Sequence, residues 1–369
     1  MSNPSESICV QEPSASSYTA GCIAQHCIVF FVVGITTRDS QVIRRTRRNI
    51  LVNMTKIKFT YKGLIVPVFT PFNNDASQSL NLSIIPQYAK FLESKKITGV
   101  LVNGTSGEGT SLTVNERKKV AEVWAEAVKE TKQHLMIQVG GTSLKDVKEL
   151  AEHAENLGAD SILCLPELYF KPTTVNDLVE YLARVGKSAP KTPLFYYDFP
   201  KASMVNIDMA QVFALIDGKV PTFAGIKTDL ERGLHAKHVN NDFAIFLAGD
   251  MLMIGGCASG MESYIMTSLN FIPEPAFALI EYEKGNNDLH AARKSQEYIN
   301  RIAKDVTRYG TWTETMKIAM NLSTNIFVGP PRAPLKLLSR QNMEAMEQSL
   351  SQAGIKTNKA AIFQMYNCN

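Results

Sequence analysis

A chain of 369 residues can build one large domain with an appendage, or two domains. Its 45% hydrophobic and 20% charged residues are the balance of an ordinary globular protein in water. A formal net charge of +4, carried by dispersed basic residues, argues against a nucleic-acid partner.

Residues 1–57 differ in character from the rest of the chain and are expected to lie outside the fold as a disordered or non-native extension. The stretch 1–21 is polar and of low complexity. Residues 27–35 (CIVFFVVGI) are apolar but far too few to cross a membrane, and no membrane partner is expected. The charges ahead of that run are acidic, which argues against a secretory signal. The basic run 44–48 reads as a solvated tail, and Met54 offers an alternative start.

From residue 62 onward, short apolar runs alternate with amphipathic stretches. The runs are 63–70 (GLIVPVFT), 99–103 (GVLVN), 135–140 (LMIQVG), 161–166 (SILCLP), 194–198 (LFYYD), 223–228 (FAGIKT), 243–249 (FAIFLAG) and, weakly, 260–265 (GMESYI). Between them, Thr113 and Glu116 form a capping box opening a helix to about residue 131, and 143–157 has helical spacing before Gly158. Eight buried strands alternating with helices predict a (β/α)₈ barrel over 58–285, with an open doubly wound sheet as the alternative. Residues 286–369 are expected as a helical C-terminal region, with helical stretches at 275–284, 289–308, 311–322 and 339–353.

In a barrel of this kind the chemistry sits at the C-terminal ends of the strands. Lys227 ends the sixth run. A lysine there either snorkels to water or presents its amine to a carbonyl. After the second run, residues 103–109 (NGTSGEG) place Thr105 and Ser106 in a turn, with Gly104 and Gly107 permitting sharp bends. Its hydroxyls and turned N–H groups suit a small carboxylate. The absence of Gly-Lys-Ser/Thr and GxGxxG argues against a nucleotide phosphate. The fifth run ends FYYDFP, where alternation puts Tyr197 on the same side as Phe195, towards the interior, with a phenol able to move protons. Carboxylate-binding turn, tyrosine and lysine on one rim describe an enzyme that binds a 2-oxo acid and forms an imine at its ketone.

Cys9, Cys22, Cys27, Cys164, Cys257 and Cys368 show no CxxC pair and no metal-ligand spacing, so they read as reduced thiols of a cytoplasmic protein. His235 and His238 stand three apart without supporting ligands, so no metal site is expected there.

In this order, GLIVPVFTPF, VNGTSGEGTSLTVNER, FYYDFP, PTFAGIKTDL and, at residues 329–335, GPPRAPL resemble the N-acetylneuraminate lyase and dihydrodipicolinate synthase superfamily of class I aldolases, over about residues 60–355. The resemblance implies that Lys227 is the Schiff-base lysine and Tyr197 the proton donor and acceptor. It implies that Thr105 and Ser106 hold the substrate carboxylate, with the Thr105 hydroxyl in the proton relay. It further implies a barrel, a homotetramer, and no metal or nucleotide cofactor. Alanine at position 202, where the synthases carry arginine, favours the lyase branch, which cleaves N-acetylneuraminate (sialic acid) to N-acetylmannosamine and pyruvate.

Lyases follow the seventh strand with a Gly-x-Asp-Glu element that grips the sugar's hydroxyl tail. Gly249 and Asp250 are the candidates here, followed by Met251 and Leu252 without the glutamate. Thr228-Asp229-Leu230 follows the lysine without the usual polar spacer, and SGMESYIM replaces a glycine-serine pattern, so no sugar contact is assigned to Ser263 or Tyr264. These departures keep two alternatives open: an aldolase for another 2-oxo-3-deoxy acid, or a catalytically weak sugar-acid binder.

Overall fold

The computed structural model describes residues 56–285 and 288–366. The low-complexity stretch, the apolar run 27–35 and the basic run 44–48 lie outside the described residues. Lys56 and Ile57 already pack on the body: the Ile57 N–H donates to the Pro221 carbonyl at 3.1 Å and Lys56 pairs with Asp217 at 3.5 Å.

The eight apolar runs become β1 Gly63–Pro67, β2 Gly99–Val102, β3 His134–Gln138, β4 Ser161–Cys164, β5 Leu194–Tyr197, β6 Phe223–Thr228, β7 Ala244–Ala248 and β8 Ser263–Ile265. Each pairs in parallel with the next, and β8 returns to β1, closing the expected barrel. Several runs outlast their strands, because the chain leaves the sheet to build the rim; residues 68–70 are one example. Parallel neighbours need long crossovers, which the helices supply. Val114–Thr131 begins at a reciprocal capping box of Thr113 and Glu116, and Leu144–Asn156 begins at Ser143 with Gly158 at φ 74 beyond its end.

Past β8 the helices Glu274–Glu283, Leu289–Thr307, Trp312–Ser323 and Arg340–Gln352 form the C-terminal appendage. A further helix, Ala360–Tyr366, escapes the sequence pattern because seven residues are too few to display a helical period; it buries Ala361, Ile362 and Met365.

Strand alternation divides the core. Val66, Val100, Ile162, Tyr196 and Ile226 face the helices, whereas Ile65, Leu101, Met136, Leu163, Phe195, Tyr197 and Phe246 fill the barrel. Phe59 and Tyr61, just ahead of β1, close its lower end: Phe59 meets Phe195 edge-on at 4.7 Å and Tyr61 stacks on His134 at 4.3 Å.

One irregularity aims the site. Leu194 pairs with Phe223 but Phe195 pairs with Gly225, so β6 carries one extra residue. Phe223 and Ile226 therefore both face outward although three residues apart, and the next residue, Lys227, turns into the barrel beside its register partner Tyr197. Gly225 makes this possible at φ 155; a Cβ there would lie 1.8 Å from the Ala244 carbonyl oxygen.

Candidate active site

Tyr197 ends β5 and Lys227 is the penultimate residue of the adjacent β6, which puts both at the C-terminal rim, as expected. Lys227 is only 5% exposed, and its Nζ lies 3.9 Å from the centre of the Tyr197 ring. Among the described residues its Nζ has no hydrogen-bond or ion-pair partner, and its only close neighbour of note is the Tyr197 ring. The Tyr197 hydroxyl pairs with Thr105 Oγ1 at 3.1 Å, and the Tyr197 ring stacks on Phe199 at 5.9 Å. Strand alternation thus does for Tyr197 what the sequence suggested.

The turn after β2 brings both candidate hydroxyls to this rim, Thr105 exposed and Ser106 buried. Its left-handed residues are Asn103 at φ 59 and Glu108 at φ 53, not the glycines expected to make the bends. The glycines serve close approach instead: a Cβ on Gly109 would lie 1.9 Å from the Asn103 carbonyl oxygen, and one on Gly107 would lie 3.0 Å from that of Val68.

Two residues join the site that sequence reasoning missed. Thr267, in the turn Thr267–Asn270 after β8, faces Ser106 with 3.2 Å between hydroxyl oxygens, and Trp312 Nε1 donates to Thr267 Oγ1 at 3.1 Å. Thr267 follows the weakest strand signal in the chain, and Trp312 opens a helix of the appendage; neither carries a local motif.

Asp250, expected to grip a sugar tail, turns its carboxylate inward. It accepts the N–H groups of Thr267 and Ser268 at 3.2 and 2.6 Å, and burial pushes its carboxyl upward while those bonds oppose the rise. Asp250 thereby shapes the turn that presents Thr267. Gly249, at φ 129, lets the chain leave β7, and the residues exposed beyond it are Met251 and Leu252, at 45% and 55%. Ser263 lines a cavity at the opposite, N-terminal end of the barrel with Tyr61, Lys62 and Lys237. The Tyr264 hydroxyl points out of the barrel and donates to the Met261 carbonyl.

Behind Tyr197 and Lys227, the residues that follow them in sequence, Asp198 and Thr228, bind each other. Thr228 Oγ1 donates to Asp198 Oδ2 at 2.7 Å, and Arg232 grips the same carboxylate through Nε at 2.6 Å and Nη2 at 2.9 Å. Burial raises the Asp198 carboxyl and the Arg232 guanidinium works against the rise. This bidentate clamp holds the ends of β5 and β6 together.

Among the described residues no group of three His, Cys, Asp or Glu side chains could hold a metal ion, and no helix is long and apolar enough to cross a membrane.

The sequence profile of the dihydrodipicolinate synthetase family matches residues 60–353. The chain is 32% identical over 296 residues to the N-acetylneuraminate lyase of Homo sapiens, covering 78% of this chain and 91% of that one. It is 32% identical over 281 residues to that of Gallus gallus, with 74% and 90% covered. Among solved structures it resembles Proteus mirabilis N-acetylneuraminate lyase, with a TM-score of 0.75 at 30% identity over 81% of this chain and 100% of that chain. It also resembles the N-acetylneuraminate lyase (sialic acid aldolase) of Aliivibrio salmonicida, with a TM-score of 0.74 at 29% identity over 81% and 98%. Matched through the whole barrel and most of the appendage, the chain belongs to the dihydrodipicolinate synthetase family.

Proposed function

We propose that this protein is a Schiff-base aldolase cleaving N-acetylneuraminate to N-acetylmannosamine and pyruvate. The observation that carries the reading is the enclosed Lys227 amine, 3.9 Å from the ring of a tyrosine whose hydroxyl meets Thr105. The likeness to N-acetylneuraminate lyases at 32% identity supports the choice of substrate.

Thr105 and Ser106 seat the substrate carboxylate, and the Lys227 amine attacks the C2 ketone of the open-chain sugar. Loss of water gives a protonated imine, an electron sink for the bond two carbons away. Tyr197 takes the proton of the C4 hydroxyl as the C3–C4 bond breaks, releasing N-acetylmannosamine as the aldehyde and leaving an enamine. Tyr197 then returns the proton to C3, and hydrolysis of the imine frees pyruvate and Lys227. Thr105 holds the phenol in the relay. Asp250 acts through the Thr267 turn.

Treating the protein with pyruvate and borohydride tests the chemistry, because reduction freezes the imine as a secondary amine. The adduct is expected on Lys227 by peptide mass spectrometry, and Lys227→Ala is expected to abolish turnover of N-acetylneuraminate. An unmodified Lys227 at saturating pyruvate refutes the mechanism.

A second reading, cleavage of a different 2-oxo-3-deoxy acid, is favoured by the inward Asp250 and the exposed Met251 and Leu252 where a polar grip on a sugar tail was expected. Turnover of a shorter acid with none on N-acetylneuraminate would decide for it. The proposal extends to a cytoplasmic homotetramer. The free, buried thiols of Cys164 and Cys257 support a reducing compartment. Tyr169 and Phe170, each 82% exposed on the loop after β4, support burial against a second copy. Sedimentation analysis finding only monomers would remove the assembly.

A further inference from the structure

Glu108 closes the turn that carries Thr105 and Ser106, and it meets a lysine from more than two hundred residues further along the chain. Lys317, on the helix Trp312–Ser323, donates to Glu108 Oε1 at 2.6 Å and to the Thr70 carbonyl at 2.8 Å, with both side chains of the ion pair fully enclosed. Glu108 Oε2 accepts the Arg332 N–H at 2.7 Å, and the Thr70 hydroxyl donates to the Gly107 carbonyl at 2.5 Å. The loop after β1, the turn after β2 and the appendage are thus tied at one point, three residues from Thr105. The same helix reaches the turn again one step away, where Trp312 holds Thr267 and Thr267 faces Ser106.

Stability is a poor explanation for this pair. Desolvation offsets most of the attraction between buried charges, and apolar residues of similar volume commonly stabilise as well or better. Burial pulls the Lys317 ammonium down to about 8 against the opposing pull of Glu108, so the enclosure works against the charge. Glu108 also holds a left-handed backbone, a conformation that a side chain other than glycine adopts only under constraint. What the pair supplies is geometry: short, directional contacts at the base of the turn.

We infer that Lys317 is a positioning residue, which through Glu108 fixes the Thr105–Ser106 turn so that one hydroxyl reaches Tyr197 and the other lines the carboxylate seat. This rests on the reading of that turn as the seat. Lys317 itself does not form the imine; both hydrogen bonds and the enclosing side chains occupy its amine.

The test uses the full chain carrying Lys317→Met, and separately the paired change Glu108→Gln with Lys317→Met. Each is titrated with pyruvate in the presence of borohydride, and the adduct on Lys227 is quantified. Half-saturating pyruvate is expected to rise roughly ten- to hundredfold in both, the scale of a misplaced binding group, while labelling at saturation stays at the wild-type level. Leu350→Ala, a core truncation elsewhere in the appendage, is expected to lower stability and keep the wild-type half-saturation. The paired variant leaves no buried charge unpaired, so it carries the test if Lys317→Met fails to fold. Wild-type half-saturation in either folded variant overturns the inference and leaves the Schiff-base reading standing. An equal rise in Leu350→Ala overturns it as general loosening, and absence of any adduct in the wild type overturns both readings.

Discussion

Replacing Gly225 with alanine should disarm the site from within the sheet. The new methyl would stand 1.8 Å from the Ala244 carbonyl oxygen and 2.7 Å from its carbon, in a backbone held at φ 155. Restoring even a 3.0 Å contact requires β6 and β7 to part by about 1.2 Å, since neither atom is a side-chain tip that can rotate away. Overpacking costs about 1–3 kcal/mol. The strained backbone adds about 1–3 kcal/mol. Against a typical total of about 5–15 kcal/mol the variant should fold, with a clearly lowered urea midpoint. Lys227 lies two residues further along, paired with Phe246 on one side and Tyr197 on the other, so the displacement reaches its amine. An ångström of misplacement costs roughly a hundredfold in rate. Urea unfolding followed by circular dichroism reads the first effect, and the rate of pyruvate trapping on Lys227 reads the second. A variant within about 0.5 kcal/mol of wild type that is trapped at the wild-type rate would refute the claim that the bulge aims the lysine.

Tyr197→Phe removes the proposed proton carrier and leaves the ring that Lys227 packs on. Cleavage should slow by roughly a hundred- to ten-thousandfold while trapping on Lys227 persists, and comparable losses in both would contradict the assigned role. At the other end of the barrel, burial lowers the pKa of His134 from 6.5 to about 4. The unfolded chain therefore binds a proton that the folded one refuses, so this contribution to stability is present above pH 6.5 and lost as pH falls towards 4. Urea titrations across that range should show this loss in the wild type and less of it in His134→Gln; equal acid sensitivity would count against His134 as the source.

The order of strands and helices was legible because a closed parallel barrel repeats one local pattern, apolar run then amphipathic helix, and each run carries its own hydrophobic signal. Lys227, Tyr197, Thr105 and Ser106 were legible for the same reason: each ends a run or lies in the turn just past one, so strand position alone puts them on one rim. Other features depended on where distant backbone meets. The extra residue in β6 exists only through pairing with β5, and the inward turn of Asp250 depends on the N–H groups of Thr267 and Ser268. Thr267, Trp312 and Lys317 reach the rim from beyond the seventh strand, without motifs, because the appendage folds back over the barrel mouth. Local sequence determined which side chains the rim would carry. Tertiary contact decided their register and their supports, because hydrogen bonds and enclosure between residues far apart in the chain leave no periodic trace in either segment.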